Sequence, residues 1–178
     1  MPVNINLCPL PASGESFLNA FLSDVLAELG YATDATLPPE EGRPRYQLKR
    51  PGMFTIDASV SNPGTGWIFL YRDLRDMAPL LAGGMIKIGE PTVPAGYRME
   101  DAFEMVISHN LRIVVPPLIS LLKECRGFSI HYEDLVADVQ GTLLKALRHF
   151  GLAIDSSLIA KAIGRHHQKL QALLDEAQ

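Results

Sequence analysis

Spacing of the apolar positions divides this chain into strands and helices. Val3, Ile5 and Leu7 alternate with Asn4, Asn6 and Cys8, the two-residue period of a strand. From Ser16 the period lengthens. Phe17, Phe21, Val25 and Leu29 recur every fourth position with Leu18, Leu22 and Leu26 beside them, while Asn19, Ser23, Asp24 and Glu28 fall mostly on the other side. Gly30 supplies a C-terminal stop. The chain therefore opens strand, tight loop over residues 9–14, helix, which is half of a βαβ unit.

Residues 33–52 read as loop, broken by Pro38, Pro39, Gly42, Pro44, Pro51 and Gly52 and rich in charge at Arg43, Arg45, Lys49 and Arg50. Residues 53–60 form a plausible strand and 62–66 a turn. The uninterrupted apolar run 67–71 suits a strand buried on both faces of a parallel sheet. Asp73 opens a helix expected to run to Leu81 and to close at Gly83-Gly84, and 85–98 is a further loop. Residues 100–125 predict a helix interrupted at Pro116-Pro117, where proline removes a backbone donor. Residues 128–132 predict a third strand. Asp138 caps a helix to Phe150 with Gly151 beyond it, and Ser156 or Ser157 starts a last helix to about Ala177. Strands separated by helices predict an α/β fold, a mainly parallel sheet flanked by helices on both faces. Ligands of such sheets gather at the carboxyl ends of the strands, where Ser13–Ser16, Arg72 and Tyr132 fall.

At 178 residues the chain fits a single domain spanning residues 1–178. A hydrophobic fraction of 47% with 20% charged residues is globular composition and excludes a disordered chain. The net charge of −4 gives no sign of the basic face that nucleic acid requires, so no nucleic-acid partner is expected. Cys8 and Cys125 are the only cysteines and form neither a disulfide framework nor a CxxC site, which predicts a reducing compartment. The amino terminus has no signal-peptide pattern, and the apolar stretch 111–122 carries Arg112 and two prolines and is far short of a membrane span. The expectation is a soluble, cytoplasmic protein with no membrane partner.

Three segments could carry chemistry. The amides and hydroxyls of Ser13, Gly14, Glu15, Ser16 and Phe17 open a helix and suit a phosphate, although the Walker lysine is missing; an ordinary strand-to-helix turn has the same pattern. Arg72, leaving a buried strand, could clamp a second phosphate, or Asp73 and Asp76 could simply neutralise Arg72 and Arg75 at the surface. Tyr132 could stack on a base, with Glu133 and Asp134 anchoring neighbouring loops or sharing protons. His109, His149, His166 and His167 lack metal-ligand spacing, so no metal is expected.

Together these segments resemble the sulfotransferases that use 3′-phosphoadenylyl sulfate (PAPS). The family's P-[KR]-S-G-T-[TS]-[WF]-L loop is similar to Pro11-Ala12-Ser13-Gly14-Glu15-Ser16-Phe17-Leu18. Its R-[DN]-P-[RK]-D segment is similar to Arg72-Asp73-Leu74-Arg75-Asp76. Its Y-E-D-L segment with a following helix and F-x-G-L looks like Tyr132-Glu133-Asp134-Leu135 through Phe150-Gly151-Leu152. The resemblance covers residues 3–152 and implies a small-molecule nucleotide, PAPS or its by-product 3′-phosphoadenosine 5′-phosphate (PAP). It implies Ser13, Gly14, Glu15, Ser16 and Phe17 at the 5′ end, Arg72 at the 3′-phosphate and Tyr132 near the adenine. The implied activity is sulfuryl transfer to an acceptor hydroxyl or amine. The departures are Ala12 where the family has a basic residue, Glu15 for a threonine, and Leu80 for a serine that holds the 3′-phosphate. The C-terminal basic glycine loop has only Gly164-Arg165-His166-His167 as a poor counterpart. No histidine lies in residues 32–108, where many members of the family carry the base, so the base is unassigned and Asp57, the only acid between Phe54 and Trp67, is the candidate there. Glu15 and Leu80 favour a rival reading, a binding or scaffold protein that keeps the fold without the chemistry. A nucleotide-hydrolysing or kinase reading fares worst for want of the Walker lysine and the hydroxyl after it.

Overall fold

A computed structural model describes residues 4–10, 13–33, 43–49, 64–88, 98–109 and 127–175, together with isolated positions between 112 and 123. Four strands form one sheet: β1 (Asn4–Pro9), β2 (Tyr46–Leu48), β3 (Thr65–Tyr71) and β4 (Gly127–His131). Their order is β2-β1-β3-β4, and every pairing is parallel. Seven helices are described: α1 (Glu15–Glu28), α2 (Leu74–Ile88), α3 (Met99–His109), α4 (Tyr132–Ala137), α5 (Val139–His149), α6 (Ser156–Arg165) and α7 (His167–Asp175).

The period-two pattern sets which strand residues meet the helices. Ile5 and Leu7 of β1, Ile68 and Leu70 of β3 and Ile130 of β4 share one apolar cluster with Phe17, Phe21, Val25 and Leu26 of α1. The inner faces of α5 and α6, through Leu143, Leu147, Ile159 and Ala162, complete it. Trp67 and Phe69 point to the opposite face of β3, also buried, with their rings 6.1 Å apart and nearly parallel. Thus β3 is covered on both sides, as its unbroken apolar run predicts. A second, smaller cluster joins α2 to α3 through Ala78, Ala82, Ala102 and Val106. Asp138 caps α5 as expected, its carboxylate accepting from the Gly141 amide at 2.8 Å.

Four expectations change. Residues 46–48 were expected as loop, yet they form β2. Only three residues pair with β1, too few for a period to register beside so many prolines and charges. The predicted stop at Gly83-Gly84 is absent: α2 runs through both glycines and Pro79 to Ile88. A glycine inside a helix costs only about 1 kcal/mol relative to alanine, which packing against α3 can offset. Tyr132 begins α4 instead of ending β4. The last helix is two, α6 and α7, separated at His166, whose φ of −105° leaves the helical range. The predicted strand 53–60 and Asp57 lie outside the described residues, as do Pro11 and Ala12. Among the described residues no helix is long and apolar enough to cross a membrane.

The core places its stability where α1 meets the sheet. Leu22 is fully buried, and removing a buried leucine to its Cβ typically costs 2–5 kcal/mol. Leu80, 43% exposed, contributes little packing. In urea denaturation Leu22→Ala is expected to lower stability by about 2–5 kcal/mol and Leu80→Ala by less than about 0.5 kcal/mol. Equal losses would show that α1 does not carry the core.

Candidate functional site

The strand register brings the three sequence segments to one edge. Pro9 pairs with Leu70 and Tyr71 pairs with His131, so the residues next in line are Leu10, Arg72 and Tyr132. Just before α1 stands Gly14, whose φ of 89° lies in the left-handed region that glycine adopts without steric cost. Ser13 is fully buried, and its hydroxyl donates to the Leu10 carbonyl and, at 3.4 Å, to the Leu70 carbonyl. The Leu10 amide donates to that same Leu70 oxygen at 2.7 Å. Ser13 thereby fastens the loop to β3. The amides of Glu15, Ser16 and Phe17 belong to the first turn of α1, where no intrahelical acceptor exists for them.

Around this turn the charges divide by direction. Glu15 lies one helical turn before Asn19, and the Asn19 side chain accepts from the Tyr46 hydroxyl at 2.8 Å. Burial, and secondarily the Glu15 carboxylate, push the Tyr46 phenol well above its ordinary value. Glu15 therefore acts toward β2. A cavity of about 220 Å³ is lined by Gly14, by Ser16 and Phe17 of α1 and by Gln168, Lys169, Ala172 and Leu173 of α7. Glu15 is not part of that lining, and Lys169 is.

Arg72 and Arg75 have different fates. Asp73 holds Arg75 by two side-chain contacts, 3.0 Å to Nε and 2.6 Å to Nη2, and accepts from its amide at 2.8 Å. Those hydrogen bonds hold the Asp73 carboxyl far below the usual carboxylate range. Arg72 turns inward. Its guanidinium carbon sits 4.0 Å from the centre of the Tyr132 ring, a cation–π contact, and its Nε and Nη1 atoms are shielded from solvent. Tyr132 is itself only 2% exposed and donates its hydroxyl to the Leu173 carbonyl at 2.7 Å. The edge of the same ring stands 3.8 Å from the place a Cβ on Gly14 would take. Gly14, Tyr132 and Arg72, from three distant stretches of sequence, thus form one contiguous unit.

Neighbouring groups frame it. His131 Nδ1 contacts the Glu133 carboxylate, and the imidazole packs edge-on against Tyr71 at 4.8 Å. The Asp134 carbonyl accepts from Thr142 Oγ1 at 3.0 Å, an anchoring role. Of the basic residues in the 43–50 segment, Arg43 donates to the Gly30 carbonyl and the Arg45 amide donates to Asn4, both at the amino-terminal end of β1. Lys49 is at the opposite end, its amide donating to the Leu7 carbonyl at 2.7 Å, and so falls at the same edge as the loop. Leu80 lies on the exposed side of α2. No group of three or more metal-ligating side chains occurs among the described residues. Gln168, Lys169 and Leu173 were not foreseen at this site. They lie about 150 residues from the loop they cover, and no local pattern marks them.

No protein-family model matches the sequence, and neither does any curated protein. Solved structures do match in three dimensions. A mouse sulfotransferase, SULT7A1, complexed with PAP superposes with a TM-score of 0.68 and 15% identity over 92% of this chain and 63% of that one. Retinol dehydratase with androsterone and the inactive cofactor PAP gives 0.61 and 14% over 93% and 65%. The sulfotransferase domain of the curacin biosynthetic pathway gives 0.53 and 12% over 89% and 77%. The chain spans somewhat less than two thirds of the length of the first two. The fold of this chain is the sulfotransferase fold.

Proposed function

We propose that the chain binds PAP or PAPS at the carboxyl edge of its sheet and, when PAPS is bound, transfers the sulfuryl group to a hydroxyl or amine acceptor. The observation that carries this reading is the contiguous Gly14–Tyr132–Arg72 unit, which joins an amide-lined helix start to an inward guanidinium. The donor set suits a nucleotide with phosphates at both ends. First-turn amides and the Ser16 hydroxyl favour an anion at the helix start, and a planar guanidinium suits a phosphate. In this reading the 5′ end meets Gly14, Glu15, Ser16 and Phe17, with Ser13 fixing the loop's shape. Arg72 takes the 3′-phosphate, and Tyr132 supports Arg72 from below while forming the floor near the base. PAPS supplies the activated sulfuryl group; the chain's part is to hold both phosphates and to offset charge gathering on the departing one. With Ala12 in the loop, the lysines that could do so from the same edge are Lys169 and Lys49.

A second reading, nucleotide binding without transfer, is favoured by Ala12 and Glu15, which give residues 11–17 a net charge of −1. The two readings share the binding site and differ in the chemistry.

Binding is tested first at Arg72. Arg72→Ala is expected to weaken PAP by about 1.5–3 kcal/mol, the scale of a hydrogen bond to a charged group. Adenosine, which lacks the 3′-phosphate, is expected to bind both forms alike in calorimetric titration. Equal losses for the two ligands would assign Arg72 to folding instead.

The charge of the loop separates the two readings. Ala12→Lys with Glu15→Thr changes it by two units. One charge contact at ~4 Å and an effective dielectric of about 20 is worth roughly 4 kcal/mol before desolvation. A third of that is a factor of about ten. The double variant is expected to bind PAP about tenfold more tightly and to raise PAPS-dependent transfer above that of the wild type. A wild type that already transfers rapidly, with no gain in the variant, would show that another cation serves the loop.

A further inference from the structure

Leu173 of α7 occupies the space directly above Gly14. A Cβ added to Gly14 would run into Leu173 Cδ1, so the leucine takes the place that a bare glycine leaves for a ligand to approach the backbone. Leu173 is 3% exposed and belongs to the same apolar cluster as Phe17 and Tyr132, and its carbonyl accepts the Tyr132 hydroxyl. What remains between α1 and α7 is about 220 Å³, below the roughly 300–1,000 Å³ of ordinary ligand pockets. Leu173 thus narrows the approach to the Gly14 backbone.

The helix that delivers this leucine is lightly held. In α7 only Leu173 is buried, with Leu170 and Leu174 partly so, while His167, Gln168, Lys169 and Gln171 face solvent. The chain just before it is firmly tied. Arg165 reaches Asp24 at 2.8 Å and Glu28 at 2.6 Å on α1, and His166 Nε2 meets Asp24 at 3.0 Å. The helical path breaks at His166. A fixed α6, a break and a lightly held α7 form a hinge with one latch.

We propose that α7 is an autoinhibitory lid: with Leu173 seated on Gly14 and latched by Tyr132 the nucleotide site is closed, and α7 swings about His166 to open it. The proposal rests on the nucleotide reading of the site. Apparent affinity equals intrinsic affinity reduced by the fraction of open molecules, so loosening the latch strengthens binding without adding a contact.

The full chain, wild type and two variants, is titrated with PAP by calorimetry, and amide hydrogen exchange is followed across residues 167–175. Leu173→Ala vacates the space above Gly14 and is expected to bind PAP at least tenfold more tightly. Tyr132→Phe keeps the ring under Arg72, removes only the hydrogen bond, and is expected to gain about fivefold. Exchange in α7 of the wild type is expected to quicken when PAP binds. Tighter binding by either variant together with that quickening supports the lid. Wild-type PAP binding that neither variant improves, or exchange in α7 that slows with PAP, overturns the lid and leaves the nucleotide reading standing. If none of the three forms binds PAP, the nucleotide reading falls and the lid falls with it.

Discussion

Parallel pairing is the constraint on which the site depends. Because β1, β3 and β4 run the same way, whatever follows each of them is delivered to one edge, and the register decides what stands beside what. Tyr71 opposite His131 puts Arg72 beside Tyr132, and the guanidinium settles on the ring. Pro9 opposite Leu70 brings the β1 loop level with the end of β3, where the Leu70 carbonyl receives both the Leu10 amide and the Ser13 hydroxyl. A slip of one residue in either pairing would turn every strand side chain to the other face, and the packing of Ile68 and Leu70 against α1 forbids it. The core thus sets the geometry of the edge.

Much of this was legible in the sequence because the signals are local. The switch from period two to period four near residue 16, the unbroken run 67–71, and the caps at Asp138 and Gly151 each follow from short-range chemistry, and the structure has β1, α1, β3 and α5 where those signals lie. Other features hid for physical reasons. Three residues of β2 are too few to show a period, and their pairing with β1 decides them. Gly83-Gly84 reads as a stop, yet the penalty is small enough for the α2–α3 contact to override. Arg72 and Arg75 are alike in sequence, three positions apart with an aspartate after each. Only the end of β3 and the Asp73 fork make one face inward and the other outward. The α7 covering of the loop is a contact across more than 150 residues, and nothing in either segment announces the other.

Charge at the loop reads differently once direction is known. Counted along the chain, Glu15 opposes an anion held by Gly14–Phe17. In three dimensions it adds to the upward push on the buried Tyr46 phenol, while the cavity beside Gly14 is lined by Lys169 and not by Glu15. A carboxylate in the first turn is also favourable to α1 itself, by about 0.3–1 kcal/mol at an exposed helix start. The residue that looks like a defect of the loop is in part a stabiliser of the helix that forms it.

Binding and catalysis then separate along the ligand. A guanidinium on the 3′-phosphate lies far from the bond that breaks and interacts equally with ground state and transition state, so it strengthens binding without speeding transfer. A cation at the 5′ end acts where negative charge gathers as the sulfuryl group leaves, and only there does it lower the barrier. In the proposed reading Arg72, packed on Tyr132, would serve as the first, and Ala12 offers no charge for the second. Among the described residues, Lys169 and Lys49 lie at that edge, and Lys169 belongs to the same helix as the leucine that fills the space above Gly14. If α7 swings away to admit a nucleotide, Lys169 leaves the Gly14 loop with Leu173, so opening the site and supplying a cation from α7 would oppose one another.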